Sequence, residues 1–240
     1  MAPRIEVVGL DADDTLWHNE RLFQLTQARF GELLSDFADP DHLTERLEAA
    51  ERRNLGRYGF GVKGFTLSMI ETALDITDDH VPGHAIRDLI AAGQEMLAHP
   101  VELLPGAGEA VAALAGRVRL VCITKGDLLD QERKLAQSGL GEMFDAVEIV
   151  SDKTPAVYRA VFARHGPGPD HAAMAGNSLR SDVLPAIEAG ALGVFVPHEH
   201  TRPLEWAEEP RRSPRYHRIG CLDELPALIG ADATAPGGRG

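Results

Sequence analysis

Short apolar runs alternate with helical spacings over much of the chain. Residues 5–10 (IEVVGL), 118–123 (VRLVCI), 146–150 (AVEIV), 172–175 (AAMA) and 192–196 (LGVFV) are apolar in runs and lie between turn signals or helical segments. Runs of this length and setting predict buried strands. Between them, residues 128–138, 155–165 and 179–189 carry the spacing of helices, and Gly139, Gly166 and Gly190 stand where C-terminal caps belong. Residues 216–219 and 223–229 repeat the strand-then-helix pattern weakly. Strands alternating with helices predict an α/β fold whose parallel sheet is wound by right-handed crossovers.

Residues 19 to about 100 break the rhythm. They contain no strand signal. Phe23, Phe30, Leu33, Leu34 and Phe37 are spaced as one helical face, and Leu43 with Leu47, Ile70 with Leu74, and Ile86, Leu89 and Ile90 extend the pattern. Turns are predicted at 38–41 (ADPD) and 78–84 (DDHVPGH). The expected division is an α/β core from residues 1–16 and 101–232, an all-helical insertion over 17–100, and a disordered Gly- and Pro-rich tail at 233–240.

Charge narrows the partners. The formal net charge of −13 argues against nucleic acid and anionic membranes, both of which need a basic face. It leaves room for an anionic small molecule, because a metal or a few cations can reverse the field inside one cleft. The two cysteines, Cys122 and Cys221, are expected to be buried and reduced. The first residues lack the apolar core of a signal peptide, and no apolar run approaches the ~20 residues of a membrane span. A soluble cytoplasmic protein is the expectation.

The polar residues collect where the predicted strands end. Asp11, Asp13 and Asp14 follow the first, Thr124, Lys125 and Asp127 the second, Asp152 and Lys153 the third, and Asn177, Ser178, Ser181 and Asp182 the fourth. Open parallel sheets bind ligands beyond these carboxyl ends. Crowded carboxylates are relieved by a hard cation such as Mg²⁺, which takes oxygen ligands. Hydroxyls and lysines beside them suit a phosphate.

In this order the motifs DADDT (11–15), ITKG (123–126), Lys153 and GNSLRSD (176–182) resemble those of the haloacid dehalogenase superfamily, at its phosphatase end. The resemblance covers nearly the whole chain. It implies a Rossmann-like doubly wound parallel core with a helical cap inserted after the first strand. It implies a Mg²⁺-dependent hydrolase of a small phosphorylated metabolite. Asp11 is then the nucleophile that becomes an aspartyl phosphate. Asp13 protonates the leaving alcohol, activates water and lends its main-chain carbonyl to the metal. Thr124 and Lys153 hold the phosphoryl oxygens, and Asp11, Asn177 and Asp182 supply the other metal ligands. One departure stands out: Asn177 replaces the usual acid, so the ion loses one formal charge. Metal-free 2-haloacid dehalogenases of the superfamily carry Asn in this region but lack the acid at the position of Asp13. A non-catalytic module that keeps the fold is a third reading.

Several residues admit a plainer reading. Lys125 is either a phosphate contact or a solvated neighbour of Thr124. Lys153, at a predicted helix start, could be surface. Asn177 and Ser178 could be helix caps. Asp14 reads as a turn or capping acid, Trp17 as packing, and His198 and His200 as a polar loop. Lys63, in the Gly-rich stretch YGFGVKGF (58–65), is either a substrate contact from the cap or a solvated turn residue.

Overall fold

A computed structural model of the chain describes residues 4–200 and 205–230. The tail expected to be disordered at 233–240 lies outside the described residues. The described residues divide into two compact units, one within residues 4–18, 101–124, 133–200 and 205–230 and one of residues 19–100 and 125–132.

The first unit holds a six-stranded, all-parallel sheet in the order β3-β2-β1-β4-β5-β6. Its strands are β1 (Val7–Leu10), β2 (Arg119–Lys125, whose last residue groups with the second unit), β3 (Ala146–Val150), β4 (Ala172–Gly176), β5 (Leu192–Phe195) and β6 (Tyr216–Arg218). Each matches a predicted run within about two residues at either end. Val8 and Leu10 of β1 face a cluster with Leu16, Trp17, Leu120, Cys122 and Leu135, while Val7 faces Val121, Ile123, Phe162 and Met174. Both faces are therefore covered, which is why the strands read as continuous apolar runs. The chain walks outward from β1 through β2 to β3, returns, and walks the other way from β4. The switch point lies between β1 and β4, where Leu10 pairs with Ala175.

Two helical details differ from the sequence reading. Helix α5 (Ala107–Leu114) packs Ala107, Ala110, Val111 and Leu114 into the core, where no element was predicted; its short Ala- and Gly-rich repeat carries little helical contrast. The predicted helix at 179–189 begins instead with a wide π-type turn over Leu179–Val183 before α8 (Leu184–Ala189). Helices α6 (Leu128–Ser138) and α7 (Pro155–His165) fall on their predicted spans.

The second unit is all helical within residues 19–100: α1 (Glu20–Leu33), α2 (Pro40–Tyr58), α3 (Val62–Ile76) and α4 (Gly83–Ala98). Phe23, Phe30, Leu43, Leu47, Phe65, Met69 and Leu89 form its core. Phe37 lies beyond the end of α1 and is exposed, and Ile90 is exposed on α4, so neither joins the apolar face expected of it. The insertion leaves the sheet unit through a closed neck. Within the sheet unit the His18 N–H donates to the Glu102 carbonyl at 3.0 Å and the Leu104 N–H to the Leu16 carbonyl at 2.9 Å, with Trp17 and Leu103 bridged antiparallel between them.

Residues 125–132, expected in the core, group with the helical unit, and the reason is local. The Asp127 carboxylate sits at the start of α3, with Oδ2 3.4 Å from the Lys63 N–H and Oδ1 3.4 Å from Lys63 Nζ. Gly61 precedes the helix at φ 118, and a Cβ there would lie 2.9 Å from the same carboxylate. Lys125 Nζ lies 3.8 Å from the centre of the Phe60 ring. The break in YGFGVKGF is thus confined to Gly59–Gly61, and Lys63 belongs to the first turn of a helix. Asp127→Ala should cost about 1 kcal/mol in denaturant unfolding, as loss of a helix-capping carboxylate does, and should speed hydrogen exchange at the amides of 62–65.

Candidate active site

Asp11 follows β1 directly, and its N–H donates to the Ala175 carbonyl at 2.9 Å, so it stands at the switch point beside the end of β4. Residues 12–17 then fold back in a tight turn. The N–H groups of Thr15 and Leu16 reach the Ala12 carbonyl, at 3.2 and 2.8 Å, and the Asp14 N–H reaches the Trp17 carbonyl at 2.8 Å. Asp14 takes a left-handed conformation at φ 58, which Asp tolerates better than most residues. It is a turn residue, and its carboxylate lies 3.8 Å from Nε2 of the buried His198.

Lys153 joins the two halves of the site. It lies between β3 and α7, where Thr154 caps α7 by accepting the Val157 N–H at 3.3 Å and Pro155 takes the first helical position. That start of a helix was a plausible place for a solvated lysine, yet the residue is 4% exposed. Its ammonium makes a short ion pair with Oδ1 of Asp11 and lies 2.7 Å from Oδ1 of Asp182. Asp182 is fully buried, and its Oδ2 accepts the Ser178 N–H at 2.9 Å. This close fit needs Gly176, since a Cβ there would lie 2.3 Å from the Asp182 carboxylate.

Two carboxylates thus share one ammonium in a dry site. Burial first, and then Asp182, push the Asp11 carboxyl up to about 7, against the pull of Lys153. Burial disfavours the ammonium too, but Asp11 and Asp182 outweigh it and hold Lys153 well above the ordinary lysine range. The cation is thus firmly held by the two carboxylates, while Asp11 is raised by its burial and by the second carboxylate beside it.

Thr15 links this cluster to Asn177. Its hydroxyl lies 3.2 Å from Oδ2 of Asp11 and 3.5 Å from Oδ1 of Asn177, and it accepts the Asn177 N–H at 3.0 Å. Ser178 caps the π-type turn by accepting the Ser181 N–H at 2.9 Å, and the Ser178 and Ser181 hydroxyls both donate to Glu205. The Tyr158 hydroxyl donates to the Ser181 carbonyl at 2.9 Å. Asp13 is held on one oxygen by two donors, the Trp17 indole at 2.7 Å and Lys134 Nζ at 3.0 Å. Thr124 is buried near the end of β2.

Of the residues singled out in the sequence, Asp11, Lys153 and Asp182 meet directly, Asn177 joins them through Thr15, and Asp13 stands two positions on. Lys63 and Lys125 are instead committed to Asp127 and Phe60 within the helical unit. Lys134, Tyr158 and Glu205 were not singled out, and Thr15 stood only as the last residue of the DADDT motif with no role of its own; Lys134 left a trace as a charge on the stripe of α6 that also carries the buried Gln131 and Leu135. Cys122 is buried, and burial raises its thiol to about 12, whereas Cys221 is exposed, contrary to expectation; both are free.

The oxygens present suit a hard cation in kind. Two carboxylates share one ammonium, and an amide oxygen is linked to them through Thr15, so the group carries surplus negative charge. Among the described residues no three His, Cys, Asp or Glu side chains gather as a metal cluster, so a cation here would depend on Asn177 and main-chain oxygen.

Lys153→Met removes the counter-charge that touches both carboxylates. It should lower stability by about 3–5 kcal/mol in denaturant unfolding, as breaking a buried ion pair does. In an Asp182→Asn background the same substitution should cost less, because fewer buried charges are stranded.

Comparison with known proteins agrees with this geometry. A family model described as haloacid dehalogenase-like hydrolase matches residues 5–190. A haloacid dehalogenase-like family hydrolase from Xanthomonas campestris is 38% identical, with 96% of each chain covered and a TM-score of 0.84. The HAD-hydrolase YfnB from Bacillus subtilis, solved bound to magnesium, is 18% identical over 94% of this chain and 99% of its own, with a TM-score of 0.63. L-2-haloacid dehalogenase from Xanthobacter autotrophicus is 20% identical over 95% of this chain and 100% of its own, with a TM-score of 0.66. No curated protein matches. Both lower-identity structures share the fold. The doubly wound sheet, the four motifs at its carboxyl edge and the family match together make this chain a member of the haloacid dehalogenase-like hydrolases.

Proposed function

We propose that the protein hydrolyses a small phosphomonoester through an aspartyl phosphate on Asp11, with Mg²⁺ as cofactor. The observation that carries this reading is Asp13, a second carboxylate two residues from the nucleophile, gripped by Trp17 and Lys134. An alkoxide is a poor leaving group and needs a proton as it departs. A halide leaves as a stable anion and needs none. A carboxylate held beside the nucleophile therefore fits ester cleavage better than carbon–halogen cleavage.

The steps follow from the residues. A carboxylate oxygen of Asp11 attacks phosphorus as the ester P–O bond breaks, and Asp13 passes its proton to the departing oxygen. Water then attacks the aspartyl phosphate, Asp13 takes a proton back, and the Asp11 carboxylate is released with inorganic phosphate. Splitting one displacement into two lowers each barrier. Lys153, already against Asp11, offsets the charge that gathers on the phosphoryl oxygens, and Thr124 donates its hydroxyl to them. Asp11, the main-chain carbonyl of Asp13, Asn177 and Asp182 would hold the cation, whose contribution when bound is positive charge against the phosphoryl group and Asp11. Lys63 and Lys125 have no part in this set, because Asp127 and Phe60 already engage them.

A second reading, metal-independent hydrolysis of a 2-haloacid, is favoured by the neutral amide at Asn177 and by the ammonium that Asp11 and Asp182 already share. Phosphate release and halide release, each assayed with added Mg²⁺ and with chelator, separate the two. Mg²⁺-dependent phosphate release is the expected result, and chelator-resistant halide release would overturn it.

Asp11→Asn should abolish turnover with the fold retained by circular dichroism, and wild-type protein should trap beryllium fluoride on Asp11; near-normal turnover in the variant would exclude the covalent route. Asn177→Asp restores the missing charge. Its Mg²⁺ affinity, read by calorimetry, should rise about tenfold, since one added charge at near-surface dielectric is worth on the order of 1–4 kcal/mol before desolvation. An unchanged affinity would place Asn177 outside the cation's shell.

A further inference from the structure

Lys134 has been given no role of its own beyond its contact with Asp13. It lies on α6, ten residues beyond Thr124 in the chain, and only 8% of it is exposed. Lysines are seldom buried this far unless they are paired. Packing alone would call for a leucine at this position, as at its neighbour Leu135, which lies in the apolar core. The partner is Asp13, whose Oδ1 lies 3.0 Å from Lys134 Nζ. The same oxygen accepts the Trp17 indole N–H at 2.7 Å. Trp17 is itself buried, 1% exposed, with main-chain bridges to Asp13 and Leu103.

We propose that Lys134 is a positioning residue for proton transfer by Asp13. This rests on the reading of Asp13 as the proton carrier. A carboxylate anchored by one donor can still swing about its Cβ–Cγ bond. Here two donors from different elements, the turn after β1 and helix α6, converge on Oδ1 and remove that freedom. The plane of the carboxylate and the direction of Oδ2 are then fixed. That matters because Asp13 must serve two acceptors in turn, the leaving oxygen and then the attacking water, and a displacement of 1 Å in such a group costs on the order of 10²-fold in rate. The two donors are not equivalent. Trp17 aims a single N–H from a rigid ring, while the ammonium offers three and tolerates the carboxyl as its proton comes and goes.

The test uses the full-length protein and two esters. An alkyl phosphomonoester needs the proton; p-nitrophenyl phosphate, whose leaving group is a good one, scarcely does. Lys134→Met keeps an unbranched, flexible side chain one atom shorter and removes its charge. It should slow formation of the phosphoenzyme from the alkyl ester about 10- to 100-fold, with KM within about twofold, and slow the nitrophenolate burst less than about threefold. Lys134→Arg should restore most of the loss. In an Asp13→Asn background Lys134→Met should change nothing further, within about twofold. The two tryptophans give two indole N–H resonances, and that of Trp17 should shift in Lys134→Met whether or not substrate turns over.

Equal losses on both esters, a loss that persists in the Asp13→Asn background, or an unmoved Trp17 resonance would each overturn the proposal and leave Lys134 a structural residue. Asp13→Asn alone checks the underlying reading: if it turns over the alkyl ester normally, Asp13 carries no proton and the role of Lys134 falls with it. If Asp13→Asn is inactive and Lys134→Met is normal, only the inference about Lys134 fails.

Discussion

One ammonium between two buried carboxylates sets the terms for the rest of the site. Lys153 reaches Asp11 and Asp182 together, from a loop on the far side of β2 from β4. Asp182 lies fully buried against that cation and the Ser178 N–H, and it could not lie there at all if β4 ended in anything larger than glycine. The register of β1 against β4 brings Asp11 to the same point. Three strand ends must therefore be correct for any of the three charges to be tolerated. The arrangement buries Asp11 beside a second carboxylate, which raises it, and the negative charge left over makes the place receptive to a cation or to a substrate that brings one.

The family holds both ester-cleaving and halide-releasing enzymes on one scaffold, so the fold alone does not choose between them. The difference lies in what the departing atom requires. In the proposed reaction Asp11, Lys153 and Asp182 would serve any attack by a carboxylate. The side chain of Asp13, with its two donors, would be required where a proton must be delivered. The net charge of −13 is no obstacle to an anionic substrate, because the sheet edge places two buried lysines where the charge counts.

Much of this was legible before the structure. The strands could be read because both faces of the sheet are covered, which writes them as unbroken apolar runs. The order of the motifs and the topology rule together located Asp11, Lys153 and Asp182. What escaped detection depends on contacts that leave no periodic trace. Thr15 closes the DADDT motif, but its place between Asp11 and Asn177 shows only in the fold. The Tyr158 hydroxyl spans to a main-chain carbonyl that no pattern marks. Lys63 and Lys125 looked available as cations because sequence spacing does not reveal that Asp127 and Phe60 engage them. Helix α5 is built of alanine and glycine, which pack well but contrast weakly with their neighbours. Cys221 follows a weak strand whose burial the sequence overstated.

The closed neck at residues 16–18 and 102–104 has an evolutionary corollary. The long insertion departs and returns through two segments already hydrogen-bonded to one another, so the sheet sees its ends as the ends of a hairpin, whatever lies beyond. Loop-closure entropy grows only slowly with length, and here the pinned ends reduce even that cost. Lengthening, shortening or exchanging what hangs from the neck leaves the register of β1, β2 and β4 untouched. A scaffold with this property can acquire new substrate preferences by trading whole helical modules, while the residues that carry out the reaction stay in place.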